Sequence, residues 1–265
     1  MYMNMNTGTD FDKTLKEFEA ISLKEVNKAS LMRRKDNKYL FSLQHLPALL
    51  EMVSKDYRVL EIDGSRSQHY HTRYFDTDGR EMYHKHHRGL ANRHKVRIRR
   101  YGSGDLHFLE VKKKNAKGVT SKKRVQTSGM DHDVIMKEEA FLLSVSPYEG
   151  SGIDLTMEND FYRITLVSHS QTERVTLDYG LQFFSQESEE PLYLPGIAVA
   201  EIKFENHLSG SSLHTALRKF RIKPRRFSKY AIGMALLHPG LKQNRFKSRV
   251  RMVHQINESY HLTTK

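Results

Sequence analysis

The 265-residue chain contains no cysteine, so neither a disulfide framework nor a thiolate metal site can underlie its function. It also lacks a long apolar run. The longest, Tyr230–Leu237 (YAIGMALL), falls far short of the roughly 20 residues that cross a bilayer. The opening stretch MYMNMNTGTDFDK lacks the basic-then-apolar layout of a signal peptide, and the expectation is a cytoplasmic protein. Neither G-x-x-x-x-G-K-[ST] nor G-x-G-x-x-G occurs, which excludes a P-loop or a Rossmann turn. Acid is in short supply as well: 31 Asp+Glu stand against 44 Lys+Arg, a net charge of +13. Such an excess points to a polyanionic partner, whether nucleic acid, an anionic membrane surface or phosphate-rich small molecules.

What is present is strand-like. Residues 10–29 carry apolar side chains at helical spacing and predict an amphipathic helix; 33–41 reads as a strand. Residues 42–56 read as a helix beginning near Pro47, where proline is tolerated. Strand patterns follow at 68–77, 94–101, 106–114, 121–127, 160–168, 173–184 and 196–205, with a helical patch at 136–144 and closing helices at 211–220 and 228–237. Gly102–Gly104 reads as a hairpin turn. Eight strands against few helices, with no linker or repeat, predict one α+β domain built on a closed antiparallel β-barrel with helices packed outside. The expected organisation is an N-terminal tail and amphipathic helix over 1–30, the barrel over 31–238 and a basic tail over 239–265.

The strands share a charged face. In HKVRIRRY (94–101), Lys95, Arg97 and Arg99 lie on one side and Val96 and Ile98 on the other. The same alternation recurs with Arg34, Asp36 and Lys38; with Glu110, Lys112 and Lys114; with Lys122 and Arg124; with Arg163; with Arg174 and Asp178; and with Glu201 and Lys203. One such face is an ordinary solvated surface. Seven would set like charges against each other in an open sheet. Closed with its apolar face outward, the sheet would instead line a tunnel with desolvated cations that need an anionic ligand. Phosphate suits Arg forks and Lys point charges. The acids in the layer, Asp36, Glu110 and Glu201, suit a hard divalent cation.

These motifs resemble those of the triphosphate tunnel metalloenzymes, and more narrowly the bacterial-type polyphosphate polymerase domain of the vacuolar transporter chaperone family. The resemblance rests on Arg34-x-Asp36-x-Lys38-Tyr39, YFDT (74–77), KVRIRRYG (95–102), FLEVKKK (108–114), SKKR (121–124), YRIT (162–165), RVTLD (174–178), EIKF (201–204) and RFSKY (226–230), in that order over residues 31–238. It implies a phosphate cradle of Lys38, Arg97, Arg99, Lys112, Lys122, Arg163, Arg174, Ser228 and Lys229, with Lys229, Arg97 and Arg99 acting in catalysis and Glu201 holding Mn²⁺ or Mg²⁺. The implied activity is transfer of the ATP γ-phosphate to a growing polyphosphate chain. The implied partners are ATP and inorganic polyphosphate, with room for a membrane-bound partner chain. Two departures bear on this. Arg34 stands where the superfamily has an acid, which argues against two-metal hydrolysis, and Lys114 stands where eukaryotic relatives have histidine.

Two other functions fit the same residues. A triphosphatase would use the same tunnel with water as acceptor, and a non-catalytic polyphosphate or nucleic-acid binding module would need only the charge. No aromatic ladder for base stacking is evident, so no nucleic acid is expected. His84, His86 and His87, with His69 and His71 nearby, lack an acid or cysteine at useful spacing to complete a zinc site.

Overall fold

The computed structural model describes residues 11–28, 35–102, 104–188, 190–205 and 208–263. The chain opens with helix α1 (Asp12–Lys16), strand β1 (Glu19–Ile21) and helix α2 (Leu23–Lys28). Next come β2 (Lys35–Ser42), α3 (Leu46–Val53), β3 (Tyr57–Leu60), β4 (Gln68–Asp76) and α4 (Glu81–Arg88). A meander follows: β5 (Arg93–Tyr101), β6 (His107–Lys114) and β7 (Thr120–Thr127), then the short helices α5 (His132–Lys137) and α6 (Glu139–Val145). Two long strands, β8 (Asp154–Ser168) and β9 (Glu173–Phe184), precede β10 (Leu192–Leu194) and β11 (Ile197–Phe204). Helices α7 (Ser212–Lys219), α8 (Lys229–Leu237) and α9 (Lys247–Thr263) close the chain.

The strands form one 11-stranded sheet whose main path runs β2-β11-β9-β8-β4-β5-β6-β7. All neighbours along this path are antiparallel. The closed barrel of about eight strands is thus corrected in two respects. There are three further short strands, and the described residues of β2 and β7 share no ladder, so hydrogen bonds do not close the sheet. The free edge of β2 is instead met by the segment before α8, where Arg225 N–H donates to the Lys38 carbonyl at 2.7 Å and Pro224 bridges Tyr39. The alternation held up: Val175, Leu177, Ile164, Leu166, Ala200 and Ile202 face outward into a core completed by α1, α3 and α7, and Val96, Ile98, Leu109 and Val111 face outward beneath α4, α5 and α6.

The concave face is divided. At Phe161 of β8, two residues of β9, Gly180 and Leu181, stand opposite one. Gly180 takes φ +62°, a left-handed conformation open to glycine without strain, and this bulge re-aims the strand. Before it, Asp178 points inward; after it, Leu181 and Phe183 do. Those two, with Met157, Leu40 and Val199, make an apolar floor on which α8 lies through Tyr230, Ala231, Met234 and Ala235. Helix α8 therefore packs inside the curve of the sheet rather than outside it. Two helical features were not legible. Residues 10–29 are broken into α1 and α2 by β1, which pairs with β3, and the histidine-rich stretch after Arg80 is helix α4. The basic stretch after Pro239 carries helix α9, with Phe246 just before it and Val253 within it buried beside α8. Arg34 lies outside the described residues. Among those described, no helix is long and apolar enough to cross a membrane.

Helix α8 passes close to the sheet at Gly233, where a Cβ would stand 2.5 Å from Met157 Sδ and 2.7 Å from the Phe183 ring. Alanine would gain about 1 kcal/mol of helix propensity, but forcing the fully buried Met157 and Phe183 aside costs about 1–3 kcal/mol. Gly233→Ala is expected to lower the thermal midpoint, whereas Gly240→Ala, with open space around its Cβ, leaves it unchanged. A raised midpoint for Gly233→Ala would contradict this packing.

Candidate functional site

Three carboxylates organise the polar half of the concave face. Glu110, with no exposed surface, accepts a fork from Arg97 (Nε 2.8 Å, Nη2 2.6 Å), a hydrogen bond from the Tyr101 hydroxyl at 2.7 Å and an ion pair from Lys122. Asp178 accepts a second fork, from Arg163 (Nε 2.6 Å, Nη2 2.8 Å), and the ammonium of Lys229. Glu201 pairs with Lys38 and, at 3.2 Å, with Lys203. Between them, Lys95 Nζ donates to Ser228 Oγ at 2.7 Å, Arg99 Nε donates to Thr72 Oγ1 at 3.0 Å, and Lys112 stands in register between Lys95 and Lys122. Lys38, Lys95, Arg97, Arg99, Lys112, Lys122, Arg163, Lys203 and Lys229 thus face Glu110, Asp178 and Glu201. Nine basic side chains crowd around three buried or half-buried carboxylates, with only the exposed Asp36 opposite Lys203 at the rim.

That crowding depresses the lysines. Burial pushes Lys95 down to about 7, with Arg97 and Lys38 adding to the effect. Burial likewise brings Lys229 to about 7, Asp178 opposing and Arg163 and Arg99 assisting. Lys122 falls to about 8 through burial despite Glu110. Lys112 is held well below its ordinary value, first by the charge of Arg97 and then by burial. Burial alone would raise the three carboxyls, but their cation partners outweigh it and all three are lowered. They are ionised and committed, so an incoming anion meets the remaining positive charge.

The cations rest on aromatic rings. The Arg99 guanidinium lies 5.5 Å from the Tyr70 centroid and 5.6 Å from Phe161; Arg163 lies 4.9 and 5.3 Å from the same rings. Lys229 Nζ sits 4.0 Å over Phe161. Ring faces stabilise desolvated cations without neutralising them, which keeps the charge available. Lys229 itself is fixed from behind. Its neighbour Tyr230 donates to buried Asp76, which also accepts the Met82 and Tyr83 amides at 2.9 Å, so one carboxylate ties β4, α4 and α8 together. Ser228 caps α8 by accepting the Ala231 amide at 3.3 Å, as its position before an apolar run predicts.

With this geometry in place, comparison with known families decides the relationship: the VTC domain model matches residues 33–147 and 152–238. The chain belongs to the VTC domain family. Its fold is also that of a Hippeastrum protein, HpAC1, described as having a dominant triphosphatase activity. The two are 12% identical with a TM-score of 0.52, over 77% of this chain and 96% of that one. The Bacillus halodurans protein bh2851 is 16% identical with a TM-score of 0.43, over 74% of this chain and 96% of that one. No curated protein matches the chain.

In this VTC domain the candidate residues Lys38, Arg97, Arg99, Lys112, Lys122, Arg163, Ser228, Lys229 and Glu201 share the concave face. Arg174 stands one register pair further out, opposite Lys203, and donates to the Val26 carbonyl of α2. Lys95 shares the inward face with Arg97 and Arg99, as the alternation of β5 predicts, although the cradle implied by the family resemblance does not include it. Asp178 was legible as an inward position, but not as the counterion of Arg163 and Lys229. The ring floor at Tyr70 and Phe161 was not anticipated, although Phe161 stands two residues before Arg163 on the same face of β8 and Tyr70 lies opposite it in register.

The metal expectation narrows. Glu110 is enclosed by Arg97, Lys122 and Tyr101 and serves as a counterion, and Asp36 is exposed opposite Lys203. No described group of three His, Asp or Glu could hold an ion. Glu201, partly exposed, is the carboxylate that fits a cation arriving already bound to phosphate oxygens. The histidines differ from expectation too. Strand β8 does bring acids to His71, whose Nδ1 meets Asp160 at 3.0 Å and whose Nε2 meets Glu158 at 2.9 Å. Both carboxylates outweigh burial and raise His71 to about 9. A doubly protonated ring cannot ligate a metal.

Arg97 and Arg100 test the alternation. Arg97→Ala removes an inward guanidinium and is expected to weaken tripolyphosphate binding at least tenfold by calorimetry. Arg100→Ala, facing the outer side in register with His71 and His107, is expected to leave affinity within about twofold. Equal losses would contradict the facing of β5.

Proposed function

We propose that the protein is a metal-dependent polyphosphate polymerase that transfers the γ-phosphoryl group of ATP to the end of a growing polyphosphate chain on its concave face. The single observation that carries this reading is the crowding of nine basic side chains on a half-buried face around only three ionised carboxylates. An isolated solvated surface has no need of such an arrangement, and a chain of phosphates supplies the missing charge at a repeating spacing. Membership in the VTC domain family supports the same reading.

Phosphoryl transfer asks little covalent help of a protein; it needs in-line positioning and cations on the oxygens that gain charge. Arg97, Arg99 and Arg163 offer planar forks, two of them already aligned by Glu110 and Asp178. Lys95, Lys112, Lys122 and Lys229 supply point charges. Lys229 and Ser228 stand at the start of the nine-residue α8, where free amides and the helix dipole favour an anion. An oxygen of the polymer's terminal phosphate attacks the γ-phosphorus, the bond to the β-bridging oxygen breaks, and ADP leaves carrying that electron pair. Glu201 would hold Mn²⁺ or Mg²⁺, which neutralises phosphate oxygens when bound. Water in place of the polymer would give triphosphatase chemistry at the same residues.

Incubation with ATP and Mn²⁺ separates the readings. Long-chain polyphosphate is expected; free phosphate alone would favour a triphosphatase, and no turnover a binding module. Lys229→Ala is expected to lower turnover by at least a hundredfold with little change in nucleotide affinity, because its charge is needed most as the γ-phosphoryl transfers. Glu201→Gln, which keeps shape and removes charge, is expected to lower activity without full rescue by excess Mn²⁺. Parental turnover by either variant would contradict its assigned role.

A further inference from the structure

The basic face does not end at Lys95. On β5, Arg93 follows Lys95 at the next position of the same face, and Lys114 of β6 stands opposite it in register. The segment entering α8 brings Arg226, two residues before the Ser228 that receives Lys95. The start of α9 brings Arg249, whose Nη1 reaches the Arg226 carbonyl at 3.4 Å and whose guanidinium lies 4.9 Å from the Phe246 ring centroid. Four elements thus converge Arg93, Lys114, Arg226 and Arg249 beside Lys95, grading outward to the exposed Arg226. The mutual effects are all between like charges: Arg226 lowers both Arg93 and Arg249 after burial, and Lys95, Arg93, Arg249 and Lys114 together hold His86 down at about 2 after burial.

Building four cations against one another costs stability unless an anion joins them. Because the cluster is continuous with the phosphate face through Lys95, the anion with the right shape is one that already occupies that face and extends out of it. We propose that Arg93, Lys114, Arg226 and Arg249 form a subsite for the distal phosphates of an inorganic polyphosphate chain, lying beyond the triphosphate position. This rests on the phosphate-face reading above. The subsite would hold a polymer between rounds of addition and make affinity increase with chain length. On this assignment tripolyphosphate fills the phosphate face without engaging the exposed Arg226.

Arg226→Glu tests it, since Arg226 is exposed and its reversal leaves the phosphate-face residues in place. Binding of tripolyphosphate and of long-chain polyphosphate is measured by calorimetry on the full chain, with circular dichroism as the fold check. The expected result is a loss of about tenfold for the long chain, a weaker dependence on salt, and a change under twofold for tripolyphosphate. Arg93→Gln is expected to act in the same direction. Equal losses for both ligands would mean a general field effect and overturn the subsite. An unchanged long-chain affinity would overturn it too, whereas failure of the parent protein to bind tripolyphosphate would instead sink the phosphate-face reading itself. Single-stranded RNA or anionic vesicles that bind as tightly as long-chain polyphosphate, and lose as much in the variant, would overturn the assignment to polyphosphate.

Discussion

Repulsion among the inward cations is the constraint on which the rest of the structure depends. Two unit charges about 4 Å apart interact by about 4 kcal/mol at an effective dielectric near 20, so an uncompensated cluster of this size would not stay folded. Glu110, Asp178 and Glu201 each offset part of that cost by holding two cations apiece. They do so at fixed places in the ladder: Glu110 opposite Arg97, Asp178 opposite Arg163 and Glu201 opposite Lys38. Cross-strand register therefore sets the electrostatics, and the leftover charge is what a ligand finds.

The scaffold serves this face by keeping its supports elsewhere. Helices α1, α3 and α7 cover one outer flank and α4, α5 and α6 the other, so the inward strand positions are free for charge. Helix α8 is the exception that places chemistry. Its apolar side fills the inner floor beyond the Gly180 bulge, and the Asp76–Tyr230 contact fixes its first turn. Ser228 and Lys229 are thereby delivered to the boundary between apolar floor and charged face. The aromatic rings at Tyr70 and Phe161 mark that same boundary and carry Arg99, Arg163 and Lys229.

Much of this was legible in the alternation of a few strands. Lys95, Arg97 and Arg99 against Val96 and Ile98 announced an inward charged face because a strand has a period of two, and Ser228 before YAIGMALL announced a capped helix. Long-range consequences were not legible. The bulge at Gly180 shifts Leu181 and Phe183 onto the inner face, so α8 could find a floor inside the sheet, and no local pattern distinguishes a glycine in a bulge from one in a strand. Phe18 and Ile21 kept helical spacing while β1 paired with the distant β3. His71 gained Asp160 and Glu158 from β8, almost ninety residues away in sequence, and that pairing, invisible in the local spacing, favours the imidazolium.

The most direct test of the account follows the protons on the lysines. Lys95 and Lys229 near 7 and Lys122 near 8 are partly or largely neutral at pH 8, whereas a nucleotide's terminal phosphate, with a second pKa of about 6, is already ionised. An anion on the face stabilises the charged lysines and raises their pKa values, so binding must draw protons from solution, and affinity must fall as pH rises through 7 to 9. Calorimetry of a non-hydrolysable ATP analogue at pH 8, in buffers of different ionisation enthalpy, reads this directly. Net uptake of one or more protons is the predicted result; zero exchange or proton release would contradict a face held short of anions.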